Sequence, residues 1–378
     1  MKMTRALILI KASGIGGTVK LVARLACQLP ACGFDVRLVV PDALESQEIV
    51  PWLQRQGVKA EASSAVTSSA LASLRTMIRL ARLVRLSEAK VVNIHSEGSS
   101  IAPLELLAVR AGGCKRCIVS PHKAYGARNF GYELGKRVAS RFCCAIIVGN
   151  RVLRDLLIGA GIPERKIHLI PGGVQALIRP PSRAQAREHL GIALDAFVIG
   201  CVARLHMDKG IDVLIDAVAR IPDPRRAICL VIAGDGAERA ALEAAGNELL
   251  SGRVRFLGFV EDPAAVYAAA DMFALASRRE GTPLVLKEAA RLALPSVATD
   301  VGGTRDAITD GETGFLVPPD NPAALAASIL RLMNDEPLRL RLGNNARLRA
   351  DADFGDGPMI RAYADVLDSE GRNAARSC

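Results

Sequence analysis

Aromatic side chains make up only 4% of these 378 residues, with one tryptophan and four tyrosines. Rings are therefore not interleaved with the cations, and a nucleic-acid surface is not expected. Long apolar runs are also missing. No stretch of eighteen apolar residues occurs, so no transmembrane helix is expected. After the basic start Met1-Lys2-Met3-Thr4-Arg5, the apolar run Ala6 to Ile10 stops at Lys11. That is too short for a signal-peptide core and reads as a buried first strand. The nine cysteines are an odd number, and Cys27, Cys143, Cys144, Cys201 and Cys229 sit in apolar runs. Buried, reduced thiols fit this placement, as in the cytoplasm. Cys114-Lys115-Arg116-Cys117 has no second pair to complete a zinc site. No Asp-x-Asp stands at a strand end, since Asp351-Ala352-Asp353 lies near the tail, and no metal is expected.

Charge is present, but unevenly. Residues 1–170 hold 25 Lys/Arg against 11 Asp/Glu, a net +14, while the whole chain is only +10. The remainder is therefore mildly acidic. Such asymmetry points the first half toward an anionic surface or partner.

Strand-like and helix-like stretches alternate along the chain. Ala6–Ile10, Phe34–Val40, Val91–Ile94, Cys117–Val119 and Ala145–Val148 are short apolar runs, with helical spacing over 18–29, 71–86 and 101–111. After the Pro/Gly-rich stretch from Pro171-Gly172-Gly173 to Pro180-Pro181 the pattern restarts. Phe197–Val202, Ile228–Ile232, Val254–Leu257, Met272–Leu275 and Ser296–Ala298 each precede a loop and a helix. The expected fold is α/β: two Rossmann-like, doubly wound domains with parallel sheets, over 1–175 and 183–352, facing across a cleft. A C-terminal helix within 353–370 is expected to cross back to the first domain. Ligands of such sheets bind beyond the carboxyl ends of the strands. Gly14-Ile15-Gly16-Gly17 and the loop ending in Gly234 stand at such ends, and Gly16 and Gly17 let a backbone approach a ligand closely.

The stretch Ser277-Arg278-Arg279-Glu280-Gly281-Thr282-Pro283-Leu284-Val285-Leu286-Lys287-Glu288 carries the densest chemistry. Thr282 is suited to cap a helix and Pro283 to its first position, where no N–H is needed. The N–H groups of Leu284 and Val285 then lack partners inside the helix, and such a tip attracts phosphate. Glu280 before the helix and Glu288 in its second turn flank that tip. Two hydroxyl-accepting carboxylates beside an anion site suit a nucleotide sugar.

With these residues in place, the chain resembles the retaining GT-B glycosyltransferases of family 4 (glycosyl transferases group 1). Five elements carry the likeness in order. They are Arg204-Leu205-His206-Met207-Asp208-Lys209-Gly210, Val254 to Val260, Glu280…Glu288, Thr299-Asp300-Val301-Gly302-Gly303, and Asp310 to Val317. The resemblance implies that Arg204 and Lys209 neutralise the departing diphosphate, the first as a fork and the second as a point charge. It implies that Gly281, Thr282, Pro283, Leu284 and Val285 hold the distal phosphate, and that Glu288 accepts from the ribose. Glu280 would accept from a donor-sugar hydroxyl, and the backbone at Phe259 and Val260 would read the base. His122, after the strand Cys117–Val119, would contact the donor sugar and assist catalysis, while His95 could touch the acceptor. The implied catalytic set is His122, Arg204, Lys209 and Glu280. The sequence departs from the family at Pro171-Gly172-Gly173, where asparagine usually stands second, and at Leu294, where glycine is common.

The activity so implied is retaining transfer of a hexose or N-acetylhexosamine from a nucleotide diphosphosugar, such as a UDP- or GDP-sugar, to a glycan or lipid-linked acceptor. Envelope polysaccharide assembly is the expected setting. A nucleotide-sugar epimerase of the same fold and a non-catalytic sugar- or lipid-binding scaffold remain as alternatives. Finally, Arg75, Arg79, Arg82 and Arg85 recur at helical spacing, with Leu74, Met77, Ile78, Ala81 and Val84 on another stripe. A basic amphipathic helix of this kind fits an anionic membrane surface, and Lys136, Arg137 and Arg141 add cations.

Overall fold

Apolar runs without alternation become strands here because both faces of each sheet are covered. The computed structural model describes residues 3–12, 14–43, 47–67, 73–96, 103–122, 140–175, 180–222 and 227–368. The chain divides into two units, Met1–Gly172 with Asp356–Cys378, and Gly173–Gly355.

In the first unit the strands are β1 Thr4–Lys11, β2 Phe34–Pro41, β3 Ala60–Ser63, β4 Val91–Ser96, β5 Arg116–Pro121, β6 Ala145–Val148 and β7 Ile167–Leu169. They pair in the order β3-β2-β1-β4-β5-β6-β7, every pairing parallel. The sheet grows outward from β1 in one direction and then reverses through β4. The switch point therefore lies between those two strands, and the loop Gly14–Gly17 and His95 stand at its carboxyl edge. The last helix, Asp356–Leu367, belongs to this unit, and Arg116 donates to its carbonyls at Val366 and Leu367.

The second unit repeats the plan. Its strands are β8 Phe197–Val202, β9 Ile228–Ala233, β10 Val254–Phe256, β11 Met272–Leu275, β12 Ser296–Thr299 and β13 Gly314–Val317. The order is β10-β9-β8-β11-β12-β13, again parallel. Alternate residues of one strand feed opposite layers. Phe197, Ile199 and Cys201 join the core on one face, while Val198 joins Val231, Phe273 and Leu275 on the other.

The expected pair of parallel-sheet units is present. Two edge strands, β3 and β7, escaped the sequence reading because they are short and only partly buried. The thiols divide differently from expectation. Cys143, Cys201 and Cys229 are buried, but Cys27 and Cys144 are exposed. Cys27 lies on the outer face of the helix Gly17–Gln28 and Cys144 in the bend just before β6, a distinction that neighbouring apolar residues do not reveal. Burial pushes the Cys201 thiol up to about 12, so it stays protonated and inert.

At the amino edge of the second sheet, the Arg187 guanidinium is fully buried. It donates to the carbonyls of Ala269, Leu194 and Ala196 and to Asp271. Asp271 also accepts from the Val198 amide at 2.8 Å. Such a charge persists in a core only because its donors are satisfied.

Candidate functional site

At the carboxyl edge of the second sheet, the helix Leu284–Arg291 starts from Pro283, which has φ −75° and ψ 90° and makes no capping side-chain bond. This corrects the expected cap. Thr282 does not cap the helix, and Pro283 stands before its first turn rather than in it. Proline brings no side-chain oxygen to the tip. The Leu286 amide reaches back to the Pro283 carbonyl at 3.2 Å. Among the described residues the amides of Leu284 and Val285 have no acceptor, so the tip keeps two donors and the positive end of the dipole.

Two loops are stitched together beside that tip. Lys209 Nζ donates to Glu280 Oε1 at 2.6 Å, and the Ser277 hydroxyl donates to the same oxygen at 2.7 Å. Arg279 Nε meets Asp208 Oδ1 at 2.9 Å, and Arg278 grips both oxygens of Asp212 at 2.9 and 2.6 Å. The backbone joins in: the amides of Arg278 and Arg279 donate to the Asp208 carbonyl. Hydrogen bonding to Asp212 raises the Arg278 pKa further. Glycine allows these loops to touch. Gly210 has φ +57°, and a Cβ there would collide with the Ala276 carbonyl. Gly302 has φ +53°, and its Cβ would strike the Glu280 carbonyl.

Glu288, one turn into the helix, accepts from the Tyr267 hydroxyl at 2.6 Å. Burial first, and the Glu288 charge second, push Tyr267 well above the usual phenol value, so it remains a donor at working pH. Arg204 is exposed and meets no carboxylate among the described residues. Gly234 donates to the Gly258 carbonyl at 2.7 Å, which places it as a brace between loops. Phe259 is exposed and Val260 half-buried on the loop after β10. The geometry thus gathers Lys209, Glu280, Gly281, Thr282, Leu284, Val285 and Glu288 around one helix tip. Tyr267 was missed by sequence reasoning, and nothing in its local pattern distinguishes it from a core ring.

The first unit holds a different arrangement. Gly16 precedes the helix Gly17–Gln28, and the space beside its Cα is open. At the ends of β4 and β5, Asn93 Nδ2 lies 2.9 Å from His95 Nε2, and His95 Nδ1 lies 2.9 Å from His122 Nε2. The Ser120 hydroxyl donates to Asn93 Oδ1 at 2.9 Å. The His95 ring is completely buried, so the expectation that it touches an acceptor is corrected: a ring with no exposed surface reaches only its neighbours. Burial holds His95 well below the ordinary histidine value. Tyr363 of the last helix stacks on it at 6.3 Å between centroids. A signal was available. Asn93 and His95, like Ser120 and His122, are polar residues two apart at strand ends, where period two puts them on one face.

The basic helix spans Leu74–Ser87, capped by Ser73. Its buried stripe is Leu80 and Val84, with Met77 and Leu83 against the same core. Leu74 and Ile78, read on the apolar stripe, are 78% and 62% exposed. Leu86, and Leu104 and Leu107 of the neighbouring helix Pro103–Ala111, are exposed as well. Among the described residues Arg75, Arg79, Arg82 and Arg85 meet no carboxylate; Lys136 and Arg137 lie outside those residues.

Two parallel sheets in this strand order, with a cation-flanked helix tip on the second, define the GT-B class of nucleotide-sugar-handling folds. Residues 182–349 match the family model of glycosyl transferases group 1, and residues 15–176 match that of glycosyltransferase family 4. Together these cover most of the chain, which belongs to this family. It is 37% identical over 196 residues to the D-inositol 3-phosphate glycosyltransferase of Corynebacterium efficiens, covering 49% of this chain and 46% of that protein. It is 34% identical to the capsular polysaccharide biosynthesis glycosyltransferase CapM of Staphylococcus aureus, covering 42% and 43% of the two. The chain thus spans about half the length of the curated relatives it matches. Among solved structures, Anabaena HepE in complex with UDP superposes with a TM-score of 0.81 at 23% identity, over 98% of this chain and 100% of that one. HepE has also been solved with UDP-glucose.

Proposed function

We propose that this protein is a glycosyltransferase that moves a hexose or N-acetylhexosamine, with retention, from a nucleoside diphosphosugar to a glycan or lipid-linked acceptor in envelope polysaccharide assembly. The observation that carries the reading is the pair of unclaimed amides at Leu284 and Val285, flanked by Lys209–Glu280 and by Tyr267–Glu288. A departing diphosphate gains negative charge, and fixed donors aimed at that charge are the largest catalytic aid available. Lys209 and Arg204 supply cations without a metal, Glu288 accepts from the ribose, and Glu280 accepts from a sugar hydroxyl. The backbone at Phe259 and Val260 reads the base, with Gly234 bracing that loop. In the first unit, the open space beside Gly16, at the start of the helix that begins with Gly17, leaves room for a ligand, and His122 is the group that positions the sugar. The leaving phosphate oxygen takes the acceptor proton on the same face. HepE, solved with UDP and UDP-glucose, and CapM, named for capsular polysaccharide, support the donor class and the setting. Thermal-shift measurements with UDP, GDP and ADP test the reading. Ligand at a hundredfold excess over its Kd stabilises by about 2.7 kcal/mol, so one base should raise the melting temperature by several degrees. No shift with any of the three refutes the donor site.

The acceptor is proposed to be reached at an anionic membrane. Exposed Leu74, Ile78 and Leu86 beside four arginines that meet no carboxylate among the described residues favour a peripheral site on the inner leaflet, each cation contributing about 1 kcal/mol near such a surface. Co-sedimentation should occur with vesicles containing phosphatidylglycerol, fail with neutral vesicles, and drop sharply when Arg75, Arg79, Arg82 and Arg85 become Gln. Equal binding to both vesicle types would remove the membrane from the proposal.

A further inference from the structure

We infer that Ser120, Asn93 and His95 form a tautomer lock that places the proton of His122 on Nδ1, with Asn93 as the positioning residue that sets the lock's direction. This rests on the sugar-positioning role proposed for His122, and it adds the groups that decide which of its atoms donates. Each link dictates the next. The Ser120 hydroxyl donates to Asn93 Oδ1 at 2.9 Å, leaving Asn93 Nδ2 as the end that meets His95 Nε2, also at 2.9 Å. An amide nitrogen only donates, so His95 Nε2 accepts there and carries no proton. A neutral imidazole with an accepting Nε2 holds its proton on Nδ1. That Nδ1 lies 2.9 Å from His122 Nε2, so His122 accepts in turn and its own proton sits on Nδ1.

Protonation does not relieve the constraint. His95 is completely buried and held well below the ordinary histidine value, so it stays neutral. Tyr363, on the last helix, stacks on the His95 ring with planes 13° apart, covering the ring from its other side. The consequence lies in the chemistry. With Nε2 occupied by His95, His122 cannot act as a base through that atom. Its Nδ1–H is the donor, on a neutral ring. A neutral donor can orient a sugar oxygen without opposing the positive charge that builds on the sugar as its bond to phosphate breaks.

The test uses the full chain labelled with 15N-histidine. There are five histidines, few enough to assign by single replacement in a two-bond 1H–15N spectrum. At neutral pH, His95 and His122 should both give the Nδ1–H pattern. An Nε2–H pattern on either ring, or a doubly protonated His122, overturns the lock. Asn93→Asp then tests its direction. A carboxylate only accepts, so His95 must turn its proton to Nε2, and His122 must follow. Reversed tautomers should accompany a kcat about ten- to a hundredfold lower, the usual effect of losing a partner that orients an active histidine. The affinity for the nucleoside diphosphate identified by thermal shift should not change. Reversed tautomers with an unchanged kcat overturn the positioning role. If Asn93→Asp does not fold, His95→Asn, whose amide can still donate to His122, should keep most of the kcat that His95→Leu loses. Equal rates in that pair overturn it as well. His122→Ala with full activity would instead sink the sugar-positioning reading, while the spectra still decide the lock.

Discussion

The two sheets share one strand order, yet their carboxyl edges are furnished in opposite ways. On the second sheet the side chains are ionic and paired: Lys209 with Glu280, Arg279 with Asp208, Arg278 with Asp212. On the first, among the described residues and apart from Lys11 and Glu105 at 2.7 Å, the central side chains form a neutral line through Ser120, Asn93, His95 and His122. The difference follows from what each edge can tolerate. The two arginine pairs are partly exposed and can exchange partners when a diphosphate arrives, because water and the ligand share the cost of separating them, while Lys209 keeps only a narrow opening beside the buried Glu280. A completely buried histidine cannot take up charge cheaply, so what it passes on is orientation. One edge is suited to manage charge and the other to aim a donor.

Removing the central cation is the most severe way to break this comparison. Lys209→Ala should lower kcat/KM by about 10²–10³, the usual cost of losing a group aimed at developing negative charge. It should also destabilise the fold. Glu280 is only 6% exposed at its side chain and would keep, among the described residues, only the Ser277 hydroxyl as a partner. A buried acceptor robbed of its charged donor costs about 1–3 kcal/mol. Neutralising the carboxylate separates the two effects. The double variant Lys209→Ala with Glu280→Gln should recover most of the lost melting temperature and none of the activity. Recovery of both would mean that the ion pair is scaffolding alone.

How much of this was readable in advance depended on whether a feature is contiguous. Strands such as Phe197–Val202 and Ile228–Ala233 announce themselves because burial on both faces removes the polar alternation. Ala60–Ser63 does not, because an edge strand with half-buried residues looks like any polar loop. Gly314–Val317 was read as part of a motif, and only its pairing with β12 makes it a strand. The same rule holds at the site. Lys209, Glu280 and Glu288 stood out as candidates because their neighbours form compact signatures. Tyr267 is 21 residues from the carboxylate it touches, and Arg116 is 251 from the carbonyl it holds. Contacts at such separations have no local pattern. Within the apolar stripe of Leu74–Ser87 the same limit applies: helical spacing defines faces, but only packing decides that Leu80 and Val84 turn inward while Leu74 and Ile78 do not.

The mildest perturbation sharpens the comparison most. Tyr267→Phe keeps the ring that fills the core beside Phe273 and deletes only the hydroxyl that donates to Glu288 at 2.6 Å. The hydroxyl is fully buried and stays protonated, so its loss removes one hydrogen bond to a charged group and introduces no charge of its own. Such bonds contribute about 1.5–3 kcal/mol. Part of that returns, because Glu288 is only half-buried and can be solvated when its partner goes. A net loss of about 1 kcal/mol, or roughly fivefold in nucleoside-diphosphate affinity by calorimetry, is expected. The histidine spectra of the first unit should not move. If affinity is unchanged, Glu288 does not need its partner to face a ribose, and the ionic edge is less organised than its hydrogen bonds suggest.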